Sequence, residues 1–309
     1  MSAQRLRRTF VAAAAALVAI TVVAGVAWIA GVGPFGSGGG GAPPFSADFE
    51  TGDLSQWPVV NVLDSRRDEA IRVTAGGARQ GRYAARVMVA PGDRPGADGA
   101  LNPAAAGERA ELTRQTGGEE REGDEFFYSF SFRLPPDWVQ VADGWRIPLQ
   151  FHSVDDDLGG RSPVPPVALD FVPPAGRPQG QGAGGLWLEV HGGDLTHEEF
   201  AEGNKAQVLP LPVDTGVWHD LVLRVRWSRD DGAVTVWHRE AGEERFARVT
   251  ELDDIPTMLY VTEPEARVAR VFLRTGLYRA PSGDRTDVLE IDAISRATSF
   301  AAAAGAFGQ

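Results

Sequence analysis

The stretch Phe126–Arg133 reads FFYSFSFR, and its alternation indicates the fold class of the whole chain. Successive side chains of a β-strand point to opposite faces, so Phe126, Tyr128, Phe130 and Phe132 share one face. Ser129, Ser131 and Arg133 lie on the other face. The stretch WHDLVLRVRW, which begins at Trp218, alternates in the same way. Such two-faced strands are typical of antiparallel sheets that bury one face.

The same period of two recurs along the chain, and no helix-length window after residue 45 shows a 3.6-residue apolar period. The predicted strands are Ser46–Phe49, Ala70–Thr74, Tyr83–Val89, Arg109–Arg114, Glu125–Leu134, Arg146–Ser153, Val167–Phe171, Leu186–His191, Trp218–Trp227, Ala233–Arg239, Arg245–Val249, Arg267–Tyr278 and Asp287–Ala297. Clusters of Gly, Pro and Asp separate them. Many short strands in about 265 residues predict an all-β jelly roll, one domain of two packed antiparallel sheets.

The N-terminal region predicts export. Arg5, Arg7 and Arg8 precede the uncharged run Phe10–Gly33, which is long enough to span a bilayer because about 20 apolar residues suffice. A retained anchor is favoured, and a signal peptide cleaved near Gly25 stays open. We therefore divide the chain into a signal or anchor segment (1–35), a Gly/Pro-rich linker (36–44), the jelly roll (45–300) and a C-terminal tail (301–309). The jelly roll is expected to be extracytoplasmic, with membrane contact only through the N-terminal segment.

Charge and cysteine content exclude several functions. The chain has no Cys, which excludes disulfides and a thiol nucleophile. Its net charge is −12, and −15 without the three N-terminal arginines. Such an acidic protein is not expected to bind nucleic acid or a densely sulfated polymer over a broad surface. An anionic ligand must instead be held by a local cluster of arginines. We expect a monomer.

The stretch Val271–Arg279, VFLRTGLYR, carries unusual polar residues for a strand. Its alternation places Arg274, Gly276 and Tyr278 on one face and the aliphatic residues on the other. A cation and a phenol flank a glycine on this face, which could form the floor of a ligand site, with Gly276 leaving room above the sheet.

Two further polar pairs lie on predicted strands. Arg109 and Glu111 share a face of ERAEL, and Gln150 and His152 share a face of LQFHS. Each pair alone has an ordinary explanation, such as a same-face ion pair or a satisfied histidine. It is their combination with the arginine and the tyrosine of VFLRTGLYR that points to a site.

Arg, Gln, His and Tyr together suit β-elimination across the glycosidic bond of a uronic-acid polysaccharide. Arginine and amide donors neutralise the uronate carboxylate, so that its C5 proton can be removed. One group must accept that proton and another must protonate the departing O4. A tyrosine whose pKa is lowered by arginines could do both, and histidine is the other natural proton carrier.

In the order ERAEL, QFH and VFLRTGLYR, the chain resembles the jelly-roll polysaccharide lyases, which include alginate, glucuronan and heparin-type lyases. The resemblance covers most of Phe45–Ala297, and it departs from the usual pattern where Arg274 replaces a lysine. It implies a concanavalin A-like β-jelly-roll sandwich and an anionic uronate polysaccharide as partner. The implied residue roles are carboxylate neutralisation by Arg109, Gln150 and Arg274, proton transfer by His152 and Tyr278 (with Tyr278 favoured as both acid and base), and substrate binding by Glu111 and Arg279. The acidic protein favours a plain uronate polymer over sulfated heparin.

The resemblance also suggests a structural Ca²⁺ at Glu50 and Asp292, which lie on the terminal strands; the chemistry itself requires no cofactor. Two other classes stay open. A glycoside hydrolase of this fold needs a pair of carboxylates, and the acidic array that starts at Glu290 is broken by Ile294. A non-catalytic carbohydrate-binding module would stack sugars on exposed tryptophans, for which the candidates are Trp138, Trp145, Trp187 and Trp218.

Overall fold

The computed structural model describes residues 44–115, 118–139, 144–161, 164–172, 185–195, 205–209, 211, 213–281 and 283–308. The predicted signal or anchor segment and all but the last residue of the linker lie outside the described residues. From Gly41 onward the chain forms one compact unit. Among the described residues, no helix is long and apolar enough to cross a membrane.

Strands dominate the described residues. They are β1 (Phe45–Ala47), β2 (Val59–Asn61), β3 (Ile71–Ala75), β4 (Tyr83–Val89), β5 (Glu108–Thr113), β6 (Glu125–Arg133), β7 (Arg146–Ser153), β8 (Val167–Val172), β9 (Gly185–Val190), β10 (Gly193–Asp194), β11 (Lys205–Val208), β12 (Trp218–Arg226), β13 (Gly232–Glu240), β14 (Ala247–Ile255), β15 (Leu259–Val261), β16 (Arg267–Val268), β17 (Val271–Arg279) and β18 (Asp287–Ala297). The helices are α1 (Arg67–Ala70), α2 (Phe300–Gly305) and the 3₁₀ turns Asp64–Arg66 and Asp155–Leu158.

Two large antiparallel sheets form the protein. The eight-stranded sheet has the order β14-β13-β12-β6-β18-β4-β3, with β1 also paired to β18. The seven-stranded sheet has the order β11-β9-β8-β7-β17-β5-β2. A small sheet of β10, β15 and β16 accompanies them. The predicted all-β sandwich of two antiparallel sheets is confirmed.

The core lies between the two large sheets and follows the predicted alternation. Every second residue of β6 from Phe126 to Phe132 is buried in it. From the seven-stranded sheet, Leu149 and Phe151 of β7 enter the same core, as do Leu273 and Leu277 of β17. Burying a large apolar side chain stabilises the fold by about 1.5–3 kcal/mol, so the core fixes which face of each strand points outward.

The predicted strand Arg267–Tyr278 is interrupted in the structure. The backbone N–H of Arg270 donates to Asp157 Oδ2 at 2.9 Å, so it is not available to a neighbouring strand. The strand therefore divides into β16 and β17. The short strands β2, β10, β11 and β15 were not predicted, because two to four residues are too few to show alternation.

The outer face of the eight-stranded sheet is not simply solvated. Helix α2 begins after Ser299, whose side chain accepts a hydrogen bond from the N–H of Ala302. It packs on this face in a second apolar cluster that contains Val222, Ala303 and Phe307. The predicted boundary at residue 300 is therefore wrong, because the tail belongs to the folded domain.

Candidate active site

Strands β5, β17 and β7 lie side by side in the seven-stranded sheet and bring the predicted polar pairs together. On β5, Arg109 is opposite Tyr278 and Glu111 is opposite Gly276. These residues lie on the face away from the core, because the neighbouring residues Ala110 and Leu112 are buried between the sheets.

On the other side of β17, β7 completes the arrangement. Gln150 is opposite Arg274, and His152 is opposite Phe272. The three polar pairs are far apart in sequence, yet they occupy one continuous patch on three adjacent strands. We call this outer face of β5, β17 and β7 the groove floor.

Tyr278 lies between a cation and an indole. The Arg109 guanidinium carbon is 4.2 Å from the centroid of its ring, and the Trp145 ring centroid is 5.8 Å away. Burial raises the pKa of Tyr278 above its usual value, although Arg109 and Arg274 act to lower it. The expectation that the arginines would lower this pKa overall is wrong, because desolvation of the phenolate outweighs their attraction. Tyr278 is protonated at neutral pH.

His152 is neutral. Only 7% of it is exposed, and burial lowers its pKa to about 3, with the positive charges of Arg274 and Arg109 acting in the same direction. Its Nδ1 is 2.8 Å from the carbonyl oxygen of Ser153, which can only accept a hydrogen bond. Nδ1 therefore carries the proton and Nε2 carries the lone pair.

Two guanidinium groups converge on the groove floor with unused donors. The Nε atoms of Arg109 and Arg274 are buried and have no hydrogen-bond partner among the described residues. Arg274 also lines a cleft of ≈ 660 Å³ that extends past Thr113 and Gln115 to Asn61 of β2. Buried donors of this kind are normally satisfied, so the cluster has the properties of a site for an anionic ligand.

Glu111 does not occupy the predicted substrate-binding position. It is 1% exposed, and its Oε1 accepts a hydrogen bond from Gln150 Nε2. Its Oε2 is 3.7 Å from Arg109 Nη1. Since the carboxylate is covered by these neighbours, it supports the groove floor and does not face a ligand.

Arg279 is not in the groove either, and its predicted role in substrate binding is wrong. It follows Tyr278 directly, so it points to the opposite face of β17 and is 0% exposed. Its guanidinium is 2.9 Å from Glu108 Oε2 and 2.7 Å from Asp287 Oδ2. These buried ion pairs make Arg279 a structural residue.

Glycine is required at position 276 for a different reason from the predicted one. It lies at a bulge, since the register of β17 against β7 shifts between Thr275 and Tyr278. Its φ is +131°, and a Cβ would lie 2.3 Å from the carbonyl oxygen of Ala110. Glycine is therefore required by the backbone of β5 and by its own conformation, and not by space for a sugar.

The tryptophans proposed for sugar stacking separate into two groups. Trp138 and Trp218 are buried, so they do not offer a stacking surface. Trp145 and Trp187 are partly exposed. The sequence indicates Trp145 only as one of four stacking candidates, whereas in the structure its ring centroid is 5.8 Å from that of Tyr278.

The two candidate calcium ligands both hold the turn before β4. Glu50 Oε1 accepts hydrogen bonds from the N–H groups of Arg82 and Tyr83, and Asp292 Oδ2 accepts them from Arg79 and Gln80. Burial, together with the negative charge of Glu50, raises the pKa of Asp292 to about 7. Among the described residues, no group of three or more His, Cys, Asp or Glu side chains could hold a metal ion. Calcium, which also uses backbone carbonyls, stays a prediction.

Comparison with known proteins identifies one family and several solved structures. A family model described as polysaccharide lyase matches residues 49–295. Among solved structures, the endo-β-1,4-glucuronan lyase from the fungus Trichoderma reesei is similar with a TM-score of 0.60 and 22% identity, covering 83% of this chain and 96% of that chain. This likeness shows the fold.

Two further structures are more distant. A GH131 β-glucanase catalytic domain from Podospora anserina has a TM-score of 0.47 and 13% identity, covering 79% of this chain and 85% of that chain. An alginate lyase from Chlorella virus has a TM-score of 0.46 and 11% identity, covering 82% of this chain and 97% of that chain. No curated protein sequence matches the chain.

Proposed function

The chain belongs to the polysaccharide lyase family, and from this premise we propose that it cleaves a uronic-acid polysaccharide by β-elimination outside the cytoplasm. The observation that carries the proposal is the pair of half-buried arginines, Arg109 and Arg274, whose buried Nε donors have no partner among the described residues. A uronate carboxylate supplies the acceptors and the negative charge that this pair requires.

The same donors account for the difficult step of the reaction. Removing the C5 proton turns the uronate into an enolate-like dianion, which needs more positive charge than the ground state. Donors fixed beforehand in a buried setting stabilise that charge where it develops. Gln150, opposite Arg274 on the groove floor, adds an amide donor beside the two arginines.

The protonation states of the two proton carriers suggest their roles. His152 is neutral with its lone pair on Nε2, so it can accept the C5 proton. Tyr278 carries its proton, so it can donate it to the departing O4. The C5–H electrons form the C4=C5 double bond as the C4–O4 bond breaks, and each proton has one donor and one acceptor. The second possibility, in which Tyr278 serves as both base and acid, requires the phenol to lose its proton first.

Two other classes receive less support. The acidic residues Glu290 and Asp292 belong to β18 of the eight-stranded sheet and not to the groove floor, so they do not form a hydrolase pair there. A purely binding module would not need a buried neutral histidine beside two arginines.

A calcium ion at Glu50 and Asp292 is part of the proposal. When bound, it would stabilise the turn before β4, since both carboxylates hold that turn. It has no part in the proton transfers.

The test uses the purified full chain with glucuronan, alginate, hyaluronan and heparin. β-Elimination creates an unsaturated uronyl product that absorbs in the ultraviolet, whereas hydrolysis creates reducing ends without this absorbance. We expect absorbance with an unsulfated uronate polymer, its loss in Tyr278→Phe, and full activity in the matched control Tyr260→Phe, which changes a tyrosine in the small sheet. Reducing ends without absorbance, or an active Tyr278→Phe variant, would contradict the proposal. Cell fractionation tests the location.

A further inference from the structure

Glu111 is the acidic residue that contacts both Gln150 and Arg109 on the groove floor. It is opposite Gly276 on β17, and only 1% of it is exposed. A buried carboxylate is unfavourable unless it is paired or hydrogen-bonded. The contacts that compensate for burying the Glu111 carboxylate therefore indicate the role of this residue.

The first contact, between Glu111 and Gln150, crosses β17. Glu111 is on β5 and Gln150 is on β7, so the two strands are about 10 Å apart, which is two strand spacings. Glu111 Oε1 nevertheless accepts a hydrogen bond from Gln150 Nε2. The two side chains therefore meet across β17, where Glu111 is opposite Gly276, which has no side chain, and Gln150 is opposite Arg274. This bond fixes the orientation of the Gln150 amide, whose nitrogen faces Glu111.

The second contact is with an arginine. Glu111 Oε2 lies 3.7 Å from Arg109 Nη1 and has no hydrogen-bond partner among the described residues. Burial raises the pKa of Tyr278, and the charge of Glu111 acts in the same direction. Burial lowers the pKa of Arg274, and the charge of Glu111 opposes that shift. Two guanidinium charges and one carboxylate charge leave the groove floor with a net charge of +1. One uronate carboxylate would neutralise it.

We propose that Glu111 is a positioning residue that holds the Gln150 amide and the Arg109 guanidinium around the carboxylate of the bound uronate, and that its negative charge offsets part of the guanidinium charge around Tyr278. The inference rests on the proposed function. It gives Glu111 two separable properties, which are the reach of its side chain to Gln150 and its negative charge.

Two variants separate these properties. Glu111→Gln keeps the length of the side chain and removes the charge. Glu111→Asp keeps the charge, but its side chain is one methylene shorter and does not reach Gln150. We expect both to lower kcat/KM, on the order of 10²-fold, because Glu111→Gln loses the charge that holds the Arg109 guanidinium and Glu111→Asp loses the contact that holds the Gln150 amide. Only Glu111→Gln should move the alkaline limb of the pH–rate profile to lower pH, since it removes a charge that raises the pKa of Tyr278.

A measurement without substrate separates this inference from the proposed function. The chain has four tyrosines, so ultraviolet titration of the full chain, with Tyr278→Phe subtracted, reports the ionisation of Tyr278 alone. We expect the midpoint to fall in Glu111→Gln and not in Glu111→Asp. A merely structural role would change the amount of folded protein and leave this midpoint unmoved. Unchanged midpoints in both variants would overturn the inference even if the wild type is a lyase. A shifted midpoint without lyase activity would contradict only the proposed function.

Discussion

Replacing Gly276 by alanine tests the geometry of the groove floor most directly. The φ of Gly276 is +131°, which L-residues rarely adopt. A Cβ would lie 2.3 Å from the carbonyl oxygen of Ala110 and 3.0 Å from the Cα of Glu111. Both are backbone atoms of β5, so no flexible side chain can move aside. Either β17 or β5 must shift.

The expected loss of stability follows from two contributions. An L-residue held in a sparsely populated backbone conformation costs about 1–3 kcal/mol. Forcing an additional methyl into a filled space costs about another 1–3 kcal/mol. Together they predict a loss of roughly 2–6 kcal/mol, a large part of the 5–15 kcal/mol typical of a folded domain. A shift of β5 also moves Glu111 and Arg109, so activity in the remaining folded protein should fall.

Urea denaturation of the full chain measures this loss, and Gly242→Ala is the matched control. Gly242 has a φ of +102°, and a Cβ there would meet nothing within 4 Å. Gly242→Ala should therefore show only the backbone contribution. The difference between the two variants isolates the contact with β5. Equal losses in the two variants would refute the steric reasoning, and unchanged stability of Gly276→Ala would refute the backbone geometry as well.

Three further predictions follow from the same structure. Burial lowers the pKa of His152 to about 3 and raises that of Tyr278. We therefore expect kcat/KM not to fall as the pH is lowered from about 8 to 5. A decrease of kcat/KM with a midpoint near the ordinary histidine pKa of about 6.5 would contradict a neutral His152. Arg279→Met removes the guanidinium partner of the buried Glu108 carboxylate, while Asp287 keeps its ion pairs with Arg146 and Arg285. It should lower the free energy of unfolding measured in urea by about 3–5 kcal/mol; a raised KM at unchanged stability would instead support substrate binding. Calcium should raise the Tm of the wild type but not that of Asp292→Asn. The rise in Tm should be larger at pH 8 than at pH 6, because the ion competes with a proton on the Asp292 carboxyl, whose pKa is about 7. A wild-type Tm that neither calcium nor a chelator changes would count against the site.

Alternation along the chain was sufficient to predict most of the longer strands and which of their residues enter the core. Three predicted strands, Tyr83–Val89, Arg146–Ser153 and Asp287–Ala297, agree with the structure at both ends. The same period placed Arg274 and Tyr278 on one face of β17, opposite to Leu273. These predictions succeeded because the direction of a side chain in a strand depends on local backbone geometry, which repeats every two residues.

Burial and partners could not be predicted in the same way. Arg279 looks like a ligand-binding cation beside Tyr278 in the sequence, but in the structure it lies between Glu108 and Asp287, one of them 171 residues away. The pKa of Tyr278 depends on how much of its ring the neighbouring strands cover. The desolvation caused by this coverage raises the pKa of Tyr278 more than the charges of Arg109 and Arg274 lower it.

Alternation alone indicates a sandwich of two-faced strands with arginine, glutamine, histidine and tyrosine on outward faces. Only the strand order, which places β5 and β7 on either side of β17, brings Glu111 to Gln150. The tertiary structure also decides which charges are buried and which donors have no partner in the described chain. The physical reason is that strand order and desolvation are set by contacts between distant segments, whereas alternation is set within each strand.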